Sequence, residues 1–156
     1  MPPQLTPIPT DRPRLSAYLT VRDGAAAIAY YQHVFGAVEE DRFAEPNGRI
    51  GHADLRIGDA TLMLSDEYPD YGARSPDTIG GSPVMLHLYV EDADQVVARA
   101  VEAGARLDAP VEDQFYGDRG GKITDPFGHR WWIATRKEEV PLEEQKRRAA
   151  ELYGMV

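Results

Sequence analysis

A repeat within the chain limits the folds that it can adopt. Segment 18–36 resembles segment 87–104, since each contains a strand-like stretch, an aspartate, an Ala-rich helical stretch and a final glycine. Val21 matches Val90 at a spacing of 69 residues, and the aspartate two positions further on matches as well. A repeat this long, present only twice, differs from a solenoid and predicts two packed modules of one domain. Two facing modules would enclose a cleft, which is where small molecules bind.

The composition excludes several classes of partner and of chemistry. The 156 residues carry a formal net charge of −9 and no cysteine. Because no basic stripe is present to meet phosphates, we expect neither nucleic-acid binding nor attachment to an anionic membrane surface. Without cysteine the chain has no disulfide, no thiolate nucleophile and no thiolate metal ligand.

The N-terminal residues and the hydropathy predict a cytoplasmic protein. Residues 1–14 contain five prolines and lack the apolar stretch of a signal peptide, so we expect an extended arm there. No apolar run approaches the ~20 residues that a membrane-spanning helix needs.

Hydrophobic periodicity predicts the order βαβββ twice, and therefore an α+β domain. The domain is expected over 15–136, with module one over 15–67 and module two over 84–136. Asp23 and Asp92 are the predicted helix caps. The predicted strands with defined limits are Leu15–Val21, Val38–Phe43, Gly51–Ile57, Thr61–Leu64, Leu107–Val111, Gly120–Thr124 and Arg130–Thr135.

Two further segments complete the predicted organisation. An aromatic, Gly/Pro-rich loop over 65–83 joins the modules, and its composition suits either a pocket rim or a plain linker. Residues 137–156 form a tail, in which Leu142–Tyr153 has the pattern of an amphipathic helix. We expect this helix to dock on the domain or on a partner subunit.

A turn motif near the end of module two makes the resemblance to a family specific. Asp125-Pro126-Phe127-Gly128, together with the paired Val-x-Asp openings, resembles the glyoxalase / bleomycin-resistance / dioxygenase superfamily, also called vicinal oxygen chelate proteins. The resemblance covers residues 15–136. It implies two βαβββ modules whose mixed sheets curl into a cup around a small-molecule site, and it implies a homodimer.

The same resemblance argues against the metal site of that family. Metal-dependent members hold a divalent ion with His and Glu from the first and last strands of each module, and the ion acts as a Lewis acid. The resemblance places these positions at Ser16, Met85 and Trp132, with the fourth near Leu64 and Asp66 as a substitute. Neither hydroxyl, thioether nor indole suits a hard or borderline divalent ion. We therefore expect no metal cofactor.

A displaced metal site is the alternative. His87 lies two residues beyond Met85 and shares its strand face. With His52 and either Asp54 or Asp66, it would form a two-His-one-carboxylate set for a divalent metal. The competing interpretation is that each histidine is a pocket-wall or sheet-surface residue. His87 is also the candidate general base for proton abstraction beside a carbonyl.

Without a metal, the same positions would line an apolar and aromatic pocket. Trp and Met accommodate flat, polarisable ligands well. Tyr116 and Arg119 could reach an anionic or hydroxylated ligand, whereas an Asp118–Arg119 turn brace is the structural alternative. Trp131 is expected to face the helix layer instead. The predicted ligand-binding residues are Tyr18, His52, Met85, His87, Tyr116, Arg119 and Trp132, with Tyr89 as a further lining residue.

These features support three functional hypotheses. The leading one is a metal-independent small-molecule binding protein that sequesters a drug or natural product. The alternative is an isomerase, lyase or dioxygenase with a displaced metal site or a histidine base. In the third, the cup is filled by the protein's own side chains and binds nothing.

Overall fold

The computed structural model describes residues 1–156. Its backbone divides into two compact units, Met1–Gly81 and Ser82–Val156. Each unit contains one βαβββ module with a four-stranded mixed sheet. The predicted α+β class and the repeated element order are therefore confirmed.

The first unit holds module one. Its sheet has the strand order β1-β4-β3-β2, in which β1 and β4 run parallel and the other pairs run antiparallel. The elements are β1 (Ala17–Val21), α1 (Gly24–Phe35), β2 (Val38–Ala44), β3 (Ile50–Ile57), β4 (Ala60–Asp66), a 3-10 turn (Pro69–Tyr71) and α2 (Pro76–Ile79).

The second unit holds module two and the tail helix. The sheet order β5-β8-β7-β6 repeats that of module one, with β5 and β8 parallel. The elements are β5 (Met85–Tyr89), α3 (Ala93–Glu102), β6 (Arg106–Asp113), β7 (Asp118–Thr124), β8 (Arg130–Arg136) and α4 (Leu142–Tyr153). None of the helices has the length and apolar character needed to cross a bilayer.

The repeat is preserved in strand register. Leu19 pairs with Leu64 in module one. The equivalent pair in module two is Leu88 with Ile133, and each of these residues lies 69 positions after its counterpart in module one. Leu19, Leu64 and Ile133 are buried, and they belong to the sheet faces that pack with the helices. We call the opposite face of each sheet its open face.

Two side-chain contacts fix the start of α1 and the start of α3. Asp23 accepts a hydrogen bond from the Ala26 amide at 3.0 Å, and Asp92 accepts one from the Gln95 amide at 3.1 Å. These caps satisfy amides that the first helical turn leaves without partners, and they confirm the predicted capping residues.

The second contact comes from the last strand of each module. Asp66 is 8% exposed, and its two oxygens accept hydrogen bonds from the amides of Gly24 at 2.8 Å and Ile50 at 2.7 Å. In module two the Thr135 hydroxyl accepts from the Ala93 amide at 2.9 Å. A side chain from the sheet therefore anchors each helix at the same place.

The segment between the modules is more ordered than its composition predicts. It contains the 3-10 turn and α2, whereas the sequence predicted an irregular loop over 65–83. Glu67 accepts hydrogen bonds from the Ser75 amide at 2.8 Å, from the Ser75 hydroxyl at 2.6 Å and from the Thr78 hydroxyl. These bonds lower the pKa of Glu67 to about 2.

We expect Asp66→Ala to lower the free energy of unfolding by about 2–4 kcal/mol, because two buried amides lose a charged acceptor. Urea unfolding followed by circular dichroism measures the change. Asp70→Ala, at an exposed aspartate, is the control and should change stability by less than about 0.5 kcal/mol. Equal stability of the two variants would contradict the anchoring role.

Candidate functional site

The open face of module one carries a hydrogen-bonded chain of three side chains. The Tyr18 hydroxyl lies 2.8 Å from His52 Nδ1, and His52 Nε2 lies 3.2 Å from Asp54 Oδ1. Strand register brings them together, since Tyr18 and Asp54 both pair with Met63 on the central strand β4. Phe43 flanks the imidazole, with ring centroids 6.1 Å apart.

The acceptor at the end of this chain sets the direction of its hydrogen bonds. An ionised carboxylate only accepts, so His52 Nε2 donates to Asp54. His52 Nδ1 is then the acceptor, and the Tyr18 hydroxyl donates to it. The three side chains therefore form a continuous hydrogen-bonded path from the Tyr18 hydroxyl through the imidazole to Asp54.

The open face of module two carries aromatic rings from two neighbouring strands. His87 pairs with Trp132 across the parallel strands, and the His87 and Tyr89 rings lie with centroids 4.8 Å apart. Met85 and Tyr89 are 41% and 52% exposed. The expected lining residues of β5 and β8 therefore share one sheet face.

The two neighbouring tryptophans lie on opposite faces of β8. Trp131 is 3% exposed and donates its indole hydrogen to Asp125 Oδ2 at 2.9 Å, on the buried side where it was expected. Trp132 lies against the backbone of Gly120, and the Lys122 ammonium is 5.9 Å from its ring centroid. Its indole nitrogen is buried and has no hydrogen-bond partner.

The family's metal positions carry no suitable donor set. Strand register corrects one of them: the counterpart of Trp132 is Met63, whereas Leu64 is fully buried on the opposite face. The set is then Ser16, Met63, Met85 and Trp132. These side chains do not fit a hard or borderline divalent ion.

The side chains of the alternative metal site are hydrogen-bonded to other groups of the protein. Both oxygens of Asp66 accept backbone amides, and His52 is hydrogen-bonded on both ring nitrogens. No group of three or more His, Asp or Glu side chains is placed to hold a metal ion. The alternative site of His52, His87 and either Asp54 or Asp66 therefore has no ligand set in this structure.

The two remaining predicted ligand-binding residues, Tyr116 and Arg119, have different surroundings in the structure. Arg119 donates to both oxygens of Asp94 at 2.7 and 3.0 Å and to Asp113 at 3.2 Å, so its guanidinium joins β7 to α3. The Asp118–Arg119 brace does not form, because Asp118 instead accepts from the Tyr89 hydroxyl at 2.7 Å. Tyr116 is half-buried.

Sequence reasoning named Tyr18 and His52 as ligand-binding residues but missed the chain that joins them to Asp54. The spacing of His52 and Asp54 places both on one strand face, which is a signal available from the sequence. The contact with Tyr18 depends on the order of the strands.

The hydrogen-bonded chain predicts one neutral tautomer of His52. At about pH 8.5, where imidazole is ordinarily neutral, we expect the proton on Nε2, as measured by long-range ¹H–¹⁵N NMR correlations. Asp54→Asn should admit the Nδ1-protonated form, because an amide can donate as well as accept. His33, exposed on α1, serves as the reference. A His52 protonated on Nδ1 in the unmodified protein would contradict the assigned direction.

Comparison with known proteins agrees with the fold. An uncharacterized protein of Mycobacterium bovis is 44% identical over 135 residues, which cover 85% of this chain and 89% of the relative. The X-ray structure of an Arabidopsis thaliana gene product is 28% identical, covers 77% of this chain and 96% of that one, and has a TM-score of 0.61. TioX from Micromonospora sp. ML1 is 26% identical, with 78% and 97% covered and a TM-score of 0.61. The model of the Glyoxalase/Bleomycin resistance protein/Dioxygenase superfamily matches residues 14–133, and the chain belongs to that superfamily.

Proposed function

We propose that this protein binds a small, flat organic molecule on the open faces of its sheets and does so without a metal ion. The observation that carries the proposal is the exposure of aromatic and thioether side chains at the expected lining positions. On the open face of module two, Met85 and Tyr89 are 41% and 52% exposed, and on that of module one Tyr18 is 51% exposed. Apolar surface clustered on a sheet face is typical of a binding site.

The side chains of module two favour a planar ligand. Trp132 provides a broad ring, and the Met85 thioether adapts to irregular shapes. The Trp132 indole nitrogen is buried against β7, so the ring face and not this donor would contact the ligand.

Family membership supports a sequestering role. The superfamily includes bleomycin resistance proteins by its description. The family's metal positions in this chain carry side chains that suit ligand contact better than metal coordination. Capture of a drug or natural product is the function that agrees with both observations.

A second candidate function is acid–base catalysis, and the Tyr18–His52–Asp54 chain favours it. Tyr18 would take a proton from a carbon beside a substrate carbonyl while its own proton passes to His52 Nδ1. Asp54 would stabilise the imidazolium. The ring of His87, the base expected from the sequence, contacts Tyr89.

Fluorescence quenching tests the binding proposal. We expect planar natural products with a carbonyl group to quench the emission of Trp132 saturably. Trp132→Phe, which retains Trp131 as the internal reference, should lose this response, and Met85→Ala should weaken binding by about tenfold. A panel of planar compounds that leaves the emission unchanged would contradict the proposal.

The same protein samples also test whether the protein binds a metal ion. After exposure to zinc, nickel, manganese and iron(II), we expect less than stoichiometric metal by elemental analysis. Stoichiometric uptake that disappears in His52→Ala or His87→Ala would contradict the metal-independent part of the proposal.

Deuterium exchange separates binding from catalysis. If Tyr18 acts as a base, ketone ligands found by quenching should exchange their α-hydrogens with D₂O in an NMR assay, and Tyr18→Phe should slow the exchange at least about 100-fold. Exchange that persists in Tyr18→Phe, or binding without exchange, would reject the catalytic candidate.

A further inference from the structure

A concave site lies in the second unit, where the sheet of module two meets the tail. Its volume is about 400 Å³, within the usual range of about 300–1,000 Å³ for small-molecule sites. The sheet contributes Tyr89, Asp118 and Arg136, the loop before β7 contributes Tyr116, and the tail contributes residues 138–140 and Gln145. We call it the tail cleft.

The walls of the tail cleft are fixed by the backbone and by α4. The amides of Lys137 and Glu138 both donate to the Gly117 carbonyl, at 2.9 and 3.1 Å. Arg148 of α4 donates to the Phe115 carbonyl at 2.9 Å and pairs with Glu138 at 3.0 Å. These contacts therefore tie the tail to the loop that precedes β7.

A buried carboxylate on its wall has no cationic partner. Asp118 is 4% exposed, and one of its oxygens accepts a hydrogen bond from the neutral Tyr89 hydroxyl at 2.7 Å. No ion pair to Asp118 is formed, although eleven pairs of Lys or Arg with Asp or Glu occur elsewhere in the chain. Burying a charge is costly unless an opposite charge or several donors compensate it.

The Asp118 carboxylate acts electrostatically on both aromatic rings of the cleft. The hydrogen bond to Asp118, with burial, raises the pKa of the Tyr89 phenol, and burial together with the Asp118 charge raises the pKa of Tyr116. Both rings therefore lie within the negative field of Asp118. Electron-rich ring faces beside a carboxylate are the usual surroundings of a bound organic cation.

When the other charged side chains are included, the net charge of the tail cleft remains negative. Glu138 is paired with Arg148, and Glu139 lies 3.9 Å from Arg136. Arg136 is paired with Asp118 across β7 and β8, and its guanidinium lies over the Tyr89 ring, 5.9 Å from the centroid. It forms its ion pair with Glu139 and none with Asp118, so it is the cation with which a bound ligand would compete.

We propose that the tail cleft binds a small organic cation, a protonated amine attached to an aromatic or apolar group. The ammonium pairs with the free oxygen of Asp118, and the attached group packs against Tyr89 and Tyr116. The cleft lies at the end of the sheet face that carries Trp132 and shares Tyr89 with it, but its charged contact at Asp118 does not depend on the function proposed for Trp132.

Three matched probes test the charge requirement: benzylammonium, benzyl alcohol and benzoate, which share a ring and differ in charge. Binding to the full chain is measured by ¹H–¹⁵N NMR titration at about 0.15 M salt. We expect benzylammonium to shift the amides of residues 116–118 and to bind at least about tenfold more tightly than benzyl alcohol. Benzoate should not bind there.

Substitutions locate the site and control for folding. Asp118→Asn should weaken benzylammonium binding at least about tenfold, while Glu102→Gln, the same charge change at an exposed site on α3, should leave it unchanged. Arg136→Gln removes the competing cation and should tighten binding. Because Arg136 is mostly exposed, this variant tests the proposal even if Asp118→Asn does not fold.

Three results would overturn the proposal: equal affinity for benzylammonium and benzyl alcohol, unchanged binding in a folded Asp118→Asn, or weaker binding in Arg136→Gln. Trp132→Phe distinguishes the two sites, because it should abolish ligand response at the open face and leave benzylammonium binding intact.

Discussion

Both modules depend on a side chain that ties the first turn of the helix to the sheet. Asp66 performs this role with two backbone amides, and Thr135 performs it with one. Gly24 is required beside Asp66, because a Cβ at this position would lie 2.7 Å from Ile50 Cγ1 and 2.9 Å from Asp66 Oδ2. With the helix held on one face, strand alternation directs Tyr18, His52 and Asp54 to the other.

The same scaffold therefore presents two different chemistries. In module one the central open-face position is Met63, flanked by a hydrogen-bonded Tyr-His-Asp chain. In module two the corresponding position is Trp132, with His87 as its neighbour. The internal repeat preserves strand register and helix anchoring, and the residues on the open faces have diverged.

The sequence predicted the fold well because its signals are local. Alternation located the strands, aspartates marked both helix starts, and the limits of α4 were predicted as observed. The tail helix follows from the amphipathic pattern of one segment. The repeated element order follows because the same local pattern occurs twice in the chain. Strand ends extended beyond the prediction, as at β4, where polar Ser65 and Asp66 continue the ladder.

The site was less predictable because its contacts join distant segments. Tyr18 and His52 are 34 residues apart, and Tyr89 and Asp118 are 29 apart. Register was decisive for the metal positions, since assigning Leu64 instead of Met63 moves the side chain to the opposite face. Arg119 could not be assigned from its neighbours, because its partner Asp94 lies 25 residues away on a helix.

Gly120 has a consequence for the division of roles between the modules. It occupies the position that His52 holds in module one, judged from the pairing of β3 and β7 with the central strands. A Cβ at Gly120 would lie 3.0 Å from the Trp132 ring and 2.8 Å from the Ile133 carbonyl oxygen. An indole at the position of Trp132 and a histidine at the position of Gly120 are therefore mutually exclusive on one such sheet. Duplication lets a single chain keep both, with the indole in one copy and the Tyr-His-Asp chain in the other.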